Sequence, residues 1–130
     1  MYKRQLEGDG DDALYLALVE SLSEDVESGN KDWETTQLLA AAYYRTGDHA
    51  AALTTLQLAH AAYQREAGAP HPVQTALLAM TFAALERPGD AARAVDQLRE
   101  LMRSDYWSHN QSARAWQKQA IEQLLSLIHI

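Results

Sequence analysis

The apolar positions of this chain recur with the period of an α-helix, in segments separated by glycine, proline and aspartate. In residues 33–45, apolar side chains stand at i, i+1, i+4 and i+5, which is one face of a helix. Residues 49–66 continue with apolar positions three or four apart. Between them, Gly47 can take a positive φ at a helix C-terminus and Asp48 can cap the next helix. The pattern predicts a helical hairpin.

The same apolar skeleton returns after 39 residues. The positions that coincide under this shift are Leu39 with Leu78, Ala40 with Ala79, Tyr43 with Phe82, Ala52 with Ala91, Leu56 with Val95 and Ala59 with Leu98. Such a period is typical of repeat proteins, in which each unit buries its apolar face on the next. Glu86 stands at the place of Gly47 and makes the second turn less favourable, which Pro88 and Gly89 can compensate one step later. When the chain is shifted by 39 residues toward its N-terminus, Gly47 coincides with Gly8.

The repeat divides the chain into a short series of helices. We expect a helix at 11–27 that lacks a partner helix, a repeat at 33–66, a second repeat at 72–102 and a trailing helix at 111–124. The predicted fold class is therefore all-α, built of tandem antiparallel helical hairpins.

This pattern resembles the tetratricopeptide repeat (TPR), over about residues 8–103. In the first unit, the family's positions are taken by Thr36, Leu39, Ala40, Tyr43, Gly47, Ala52, Leu56 and Ala59. In the second unit they are taken by Thr75, Leu78, Ala79, Phe82, Glu86, Ala91, Val95 and Leu98. The unit is longer than the family's 34 residues, and the closing proline is not in place. The resemblance implies a short right-handed TPR-like solenoid.

The resemblance also implies that the first helix of each unit lines a concave face that binds a protein or peptide. The residues so placed are Glu34, Gln37, Ala41, Tyr44 and Arg45, then Val73, Ala76, Met80, Ala83 and Ala84. The family's clamp for a terminal carboxylate needs Lys and Asn where Gln37 and Ala41 stand, so we do not expect that ligand. The second half of this face is apolar and would suit a peptide with apolar anchors. The alternative is that it packs against the next repeat.

Two pairs of residues have further expected roles. We expect Tyr44 and Arg45 to be exposed and to contact a partner. Trp107 and Trp116 are interpreted as the seal of the array's end rather than as a ligand platform.

The net charge of −7 limits the classes of partner that the chain can bind. The acidic residues cluster near the start, where residues 7–34 hold ten Asp or Glu and a single lysine. An acidic surface argues against binding to nucleic acid or to an anionic membrane. We interpret this segment as a solvated helix face, and a docking patch for a basic partner is the alternative. The chain has no cysteine, which excludes disulfides and is compatible with a reducing, cytoplasmic compartment.

No catalytic constellation is visible in the sequence. The histidines do not stand at metal-binding spacings, and no Gly-x-Ser-x-Gly elbow or kinase motif occurs. We therefore expect no enzyme activity, metal or cofactor, and predict a non-catalytic protein-interaction scaffold. A structural spacer or self-association region without a ligand is a further hypothesis.

A narrower resemblance rests on residues 78–80, Ala91, 98–102 and 107–108 and on the trailing helix. These look like C-terminal repeat regions of multidomain, planctomycete-type bacterial signalling proteins that carry a Ser/Thr kinase domain upstream. This resemblance implies the alternative function of a region that positions or regulates an enzyme, with other domains of the parent chain as partners.

The two ends resemble translated sequencing adapter. Residues 1–5 and 125–130 agree with the two strands of a transposase mosaic end, read as codons. We accordingly expect 6–124 to be an internal part of a longer protein and leave both tails out of the fold prediction.

Overall fold

The computed structural model describes the backbone of residues 2–29 and 32–128, and the side chains of 13–29, 32–104 and 106–123. The described chain forms seven helices: α1 (Tyr2–Glu27), α2 (Trp33–Arg45), α3 (His49–Ala67), α4 (Pro72–Ala84), α5 (Pro88–Leu101), α6 (Asp105–Ser108) and α7 (Gln111–Ile128). This part of the chain contains no strand, so the all-α prediction is confirmed.

The helices pack mainly on their neighbours in sequence. α2 pairs with α3, and α4 pairs with α5, as the two predicted hairpins require. α1 packs on α2, α3 packs on α4, and α7 lies across both α4 and α5. The hairpins are therefore joined into one helical body, with α7 as the outer neighbour of the second.

The 39-residue period is also visible in the backbone hydrogen bonds of the two turns. In the first hairpin, the N–H of Asp48 donates to the carbonyl oxygen of Tyr43 at 3.0 Å. In the second, the N–H of Arg87 donates to the carbonyl oxygen of Phe82 at 2.9 Å. Each residue of the second pair is 39 positions after its counterpart in the first. The sequence repeat is therefore a structural repeat at these turns.

The two turns share one backbone conformation although their residues differ. Gly47 has a φ of 87°, and Glu86, at the equivalent place, has a φ of 59°. A residue with a Cβ costs about 1–2 kcal/mol in this left-handed region. The second hairpin therefore keeps the geometry of the first at a local cost in stability.

α4 is the central helix of the core. Eleven of its thirteen residues are buried, because α3, α5 and α7 all pack on it. The core around it is rich in alanine: Ala40, Ala52, Ala76 and Ala91 are each 0 % exposed. Small side chains let helix axes approach closely, which explains why a chain with a single Phe can build a packed core.

Two predicted boundaries are wrong. α1 begins at Tyr2 instead of residue 11 and runs through Gly8, the position equivalent to Gly47 under the repeat. Gly8 and Gly10 therefore lie in a helix interior, where each glycine costs about 1 kcal/mol relative to alanine. α7 continues to Ile128, beyond the predicted end at 124. Both tail segments are thus partly helical, and residues 1, 129 and 130 lie outside the described residues.

Candidate functional site

An open groove of about 500 Å³ lies between the first half of α2, the start of α4 and the region of α6 and α7. Its apolar walls include Leu38 and Ala41 from α2 and Val73 and Leu77 from α4. Because α2 and α4 are the first helices of consecutive hairpins, the groove runs between equivalent faces of two units. We refer to it as the tryptophan groove, after Trp33, Trp107 and Trp116, which line it.

These three residues are all the tryptophans in the chain. Trp33 is the first residue of α2, Trp107 belongs to the short α6, and Trp116 lies in α7. The short α6 is fixed by its cap, since the Ser104 hydroxyl accepts the Trp107 N–H at 3.2 Å. Asn110 caps α7 in the same way, accepting the Ala113 N–H at 2.9 Å. Local capping thus brings separated tryptophans to one surface.

His71 joins the aromatic wall of the groove. Its ring centroid lies 5.4 Å from that of Trp33, 4.8 Å from Tyr63 and 5.0 Å from Trp107. His71 Nδ1 also accepts the N–H of Val73 at 3.1 Å and so caps α4. An accepting Nδ1 requires the neutral ring with its proton on Nε2. Burial lowers the pKa of His71, which favours this neutral form.

The polar side of the groove carries acceptors. Of the lining residues whose side chains the structure describes, Glu34 is the one with a formal charge. The side-chain hydrogen bond with Asp32, then desolvation, and then the negative charges of Asp32 and Glu66 raise the pKa of Glu34 above its ordinary value. One turn further along α2, Gln37 Oε1 is buried without a hydrogen-bond partner among the described residues. The groove thus offers oxygen acceptors beside an apolar and aromatic surface.

The structure divides the predicted α2 residues into two groups. Glu34, Gln37 and Ala41 line the tryptophan groove. Tyr44 is half-buried, and its hydroxyl donates to Gln123 Oε1 at 2.7 Å, so it fastens α7 to α2. The expectation of an exposed Tyr44 is therefore wrong. Arg45 is exposed at the end of α2 and does not line the groove.

The predicted α4 residues are mostly core. Val73 borders the groove but is only 8 % exposed. Ala76, Met80 and Ala83 are 0 %, 6 % and 5 % exposed. The first two of these belong to a core cluster with residues of α7. An open second half of the predicted face is therefore contradicted: α7 covers it, which is the packing alternative.

The sequence did not identify Trp33 or His71 as site residues. Both stand at the start of a first helix, at or immediately before its first residue. The repeat could have pointed to them, because residues 33 and 72 are 39 positions apart and begin equivalent helices. Trp107 and Trp116 do pack partly on the core, as the sealing interpretation requires, but they also border the groove.

Other surfaces are less suited to a ligand. A second depression, of about 580 Å³, is lined by α7, and no other helix contributes a described residue that would form an opposing wall. In the part of the chain that the structure describes, no three His, Cys, Asp or Glu side chains are grouped to hold a metal ion. Within the same residues, every helix is too short or too polar for a membrane span.

Comparison of the chain with protein-family models, with curated proteins and with solved structures found no match.

Proposed function

We propose that this chain is a short right-handed TPR-like solenoid that serves as a non-catalytic scaffold and binds a peptide segment of a partner protein in the tryptophan groove. The observation that carries the proposal is that all three tryptophans of the chain line one open groove. Tryptophan is enriched among residues that dominate binding energy at protein interfaces.

The repeated hairpin supports the scaffold part of the proposal. Equivalent hydrogen bonds close the two turns, and equivalent threonines bond back to the preceding turn in α2 and α4. Thr36 Oγ1 donates to the carbonyl oxygen of Asp32 at 2.8 Å, and Thr75 Oγ1 to that of His71 at 2.9 Å. Repeat proteins bind extended ligands on the surface formed by equivalent helices of stacked units, and the tryptophan groove lies between two such helices, α2 and α4.

The shape and composition of the groove favour a peptide. Its volume of about 500 Å³ falls in the usual range for ligand sites, about 300–1,000 Å³. Leu38 is 50 % exposed at its edge, so an apolar side chain of a partner can cover it. Exposed Asn110 and Ser112 border the same groove and can bond to a peptide backbone. An apolar floor with a polar rim is the usual anatomy of an interface.

Selection from a random nonapeptide display library tests this proposal. Leu38→Glu replaces the apolar wall that the peptide's apolar side chain covers by a carboxylate that this side chain would desolvate, and is expected to weaken the selected peptides by about tenfold or more. Leu58→Glu is the matched control, because Leu58 is 58 % exposed on α3 and does not line the groove. Equal retention of the peptides by Leu38→Glu and the wild type would contradict the proposal.

A further inference from the structure

We infer that the tryptophan groove selects a peptide carrying an arginine next to an apolar residue, with the guanidinium held by Glu34 and Gln37 against the indole of Trp33. This inference rests on the proposed function, because it specifies the occupant of the same groove.

The charge of the groove favours a cation. Among the described residues that line it, Glu34 is the one with a formal charge, and none is a lysine or an arginine. The ion pairs recorded among the described side chains lie between residues 87 and 103, so none of them neutralises Glu34 there. Asp32 and Glu66 add negative potential at the same place. With a net charge of −7 on the whole chain, the groove attracts basic peptides and repels acidic ones.

The placement of the acceptors favours arginine over lysine. Glu34 and Gln37 are three residues apart on α2, so their side chains are neighbours on one helix face. Glu34 offers an exposed carboxylate, and Gln37 Oε1, buried without a partner among the described residues, becomes a second acceptor when the side chain turns toward the groove. A guanidinium presents several N–H groups in one plane and can bond to two such acceptors at once, whereas an ammonium is a point charge.

The aromatic wall favours the same group. Trp33 directly precedes Glu34 in α2 and lines the groove with it. A guanidinium stacks on an indole face while its N–H groups remain directed outward in the plane. The remaining surface, formed by Leu38, Ala41 and Leu77, is apolar and fits a neighbouring aliphatic side chain of the peptide. Charge, acceptor spacing and aromatic surface therefore point to one residue pair.

The nonapeptide selection distinguishes this inference from the proposed function. Wild-type protein is expected to enrich arginine beside Leu, Ile or Met, and Glu34→Gln is expected to enrich the apolar residue without arginine. Apolar enrichment without arginine on the wild type, or enrichment of acidic residues, would overturn the arginine inference and leave the groove proposal standing. Enrichment that is the same for wild type and Leu38→Glu would overturn both.

A matched pair of peptides measures how much the arginine contributes to the binding affinity. The best selected peptide is compared with its arginine→norleucine variant, both without tryptophan, by intrinsic fluorescence of the protein. Replacement is expected to weaken binding to wild type about tenfold and to Glu34→Gln less than about twofold, as for loss of one charge-assisted pair. Equal loss on both proteins would show that Glu34 does not hold the arginine. Sedimentation of the free protein as a dimer that Leu38→Glu dissociates would assign the groove to a second copy and overturn the inference.

Discussion

At the scale of single residues, His71 performs two tasks with one ring. Its Nδ1 caps α4 through the Val73 N–H, and its ring joins the aromatic wall against Trp33, Tyr63 and Trp107. Histidine is an unusual helix cap, since Ser, Thr, Asp and Asn are preferred. A short polar side chain at this position could accept the same N–H of α4 but could not contribute a ring to the aromatic wall of the groove. The residue thus couples the start of the central helix to the shape of the groove.

Stability is predicted to fall in mild acid because of this histidine. Burial lowers the pKa of His71 in the folded chain. Below about pH 6.5 the unfolded chain takes up a proton that the folded chain resists. The stabilising contribution, fully present above that pH, is therefore lost as the pH falls through the folded pKa. Urea unfolding at pH 7.5 and 5.0 measures this loss.

His71→Asn supplies the control, since asparagine caps a helix without titrating. Its free energy of unfolding is expected to change less between the two pH values than that of the wild type. Burial also lowers the pKa of His60. His60 therefore also destabilises the fold as the pH falls, and the free energy of unfolding of His71→Asn keeps some dependence on pH. Identical pH dependence of wild type and His71→Asn would refute the assigned role.

At the scale of elements, the hairpin is the unit that the sequence specifies. The apolar period predicted α2, α3, α4 and α5 to within a few residues, because each helix has one buried face and a marked turn. The groove could not be predicted in the same way. It depends on which neighbour covers α4, and the link between Tyr44 and Gln123 spans 79 residues of sequence. Periodicity identifies a face to bury but does not identify the element that buries it.

The two equivalent turns are expected to respond oppositely to substitution at Glu86 and Gly47. Glu86→Gly is expected to raise the free energy of unfolding by about 0.5–1 kcal/mol, because glycine removes the cost of the left-handed conformation. Gly47→Ala, at the equivalent turn, is expected to lower it by about 1 kcal/mol. A Cβ at Gly47 would meet no described atom within 4 Å, so the loss would reflect backbone strain alone. Chemical denaturation measures both, and a destabilised Glu86→Gly would contradict the turn assignment.

At the scale of the whole molecule, one glutamine connects three helices. Gln123 of α7 accepts from the Tyr44 hydroxyl at 2.7 Å and donates from Nε2 to the carbonyl oxygen of Met80 at 3.2 Å. It therefore holds α2, α4 and α7 in the arrangement that leaves the groove open at one end and closes the α4 face at the other. Trp116, on the same helix, contacts both core clusters and also borders the groove. The proposed binding surface is consequently a product of the assembled hairpins.

Peptide binding in the tryptophan groove is tested most directly by two-dimensional ¹⁵N–¹H spectra of the protein, recorded during titration with a library-selected peptide. The three indole N–H signals belong to Trp33, Trp107 and Trp116, so each one reports on the groove. All three are predicted to shift on the wild type and on Leu58→Glu, and to remain still on Leu38→Glu at the same peptide concentration. Peptide binding that leaves the indole signals unmoved and shifts residues on the outer face of α7 would contradict the claim.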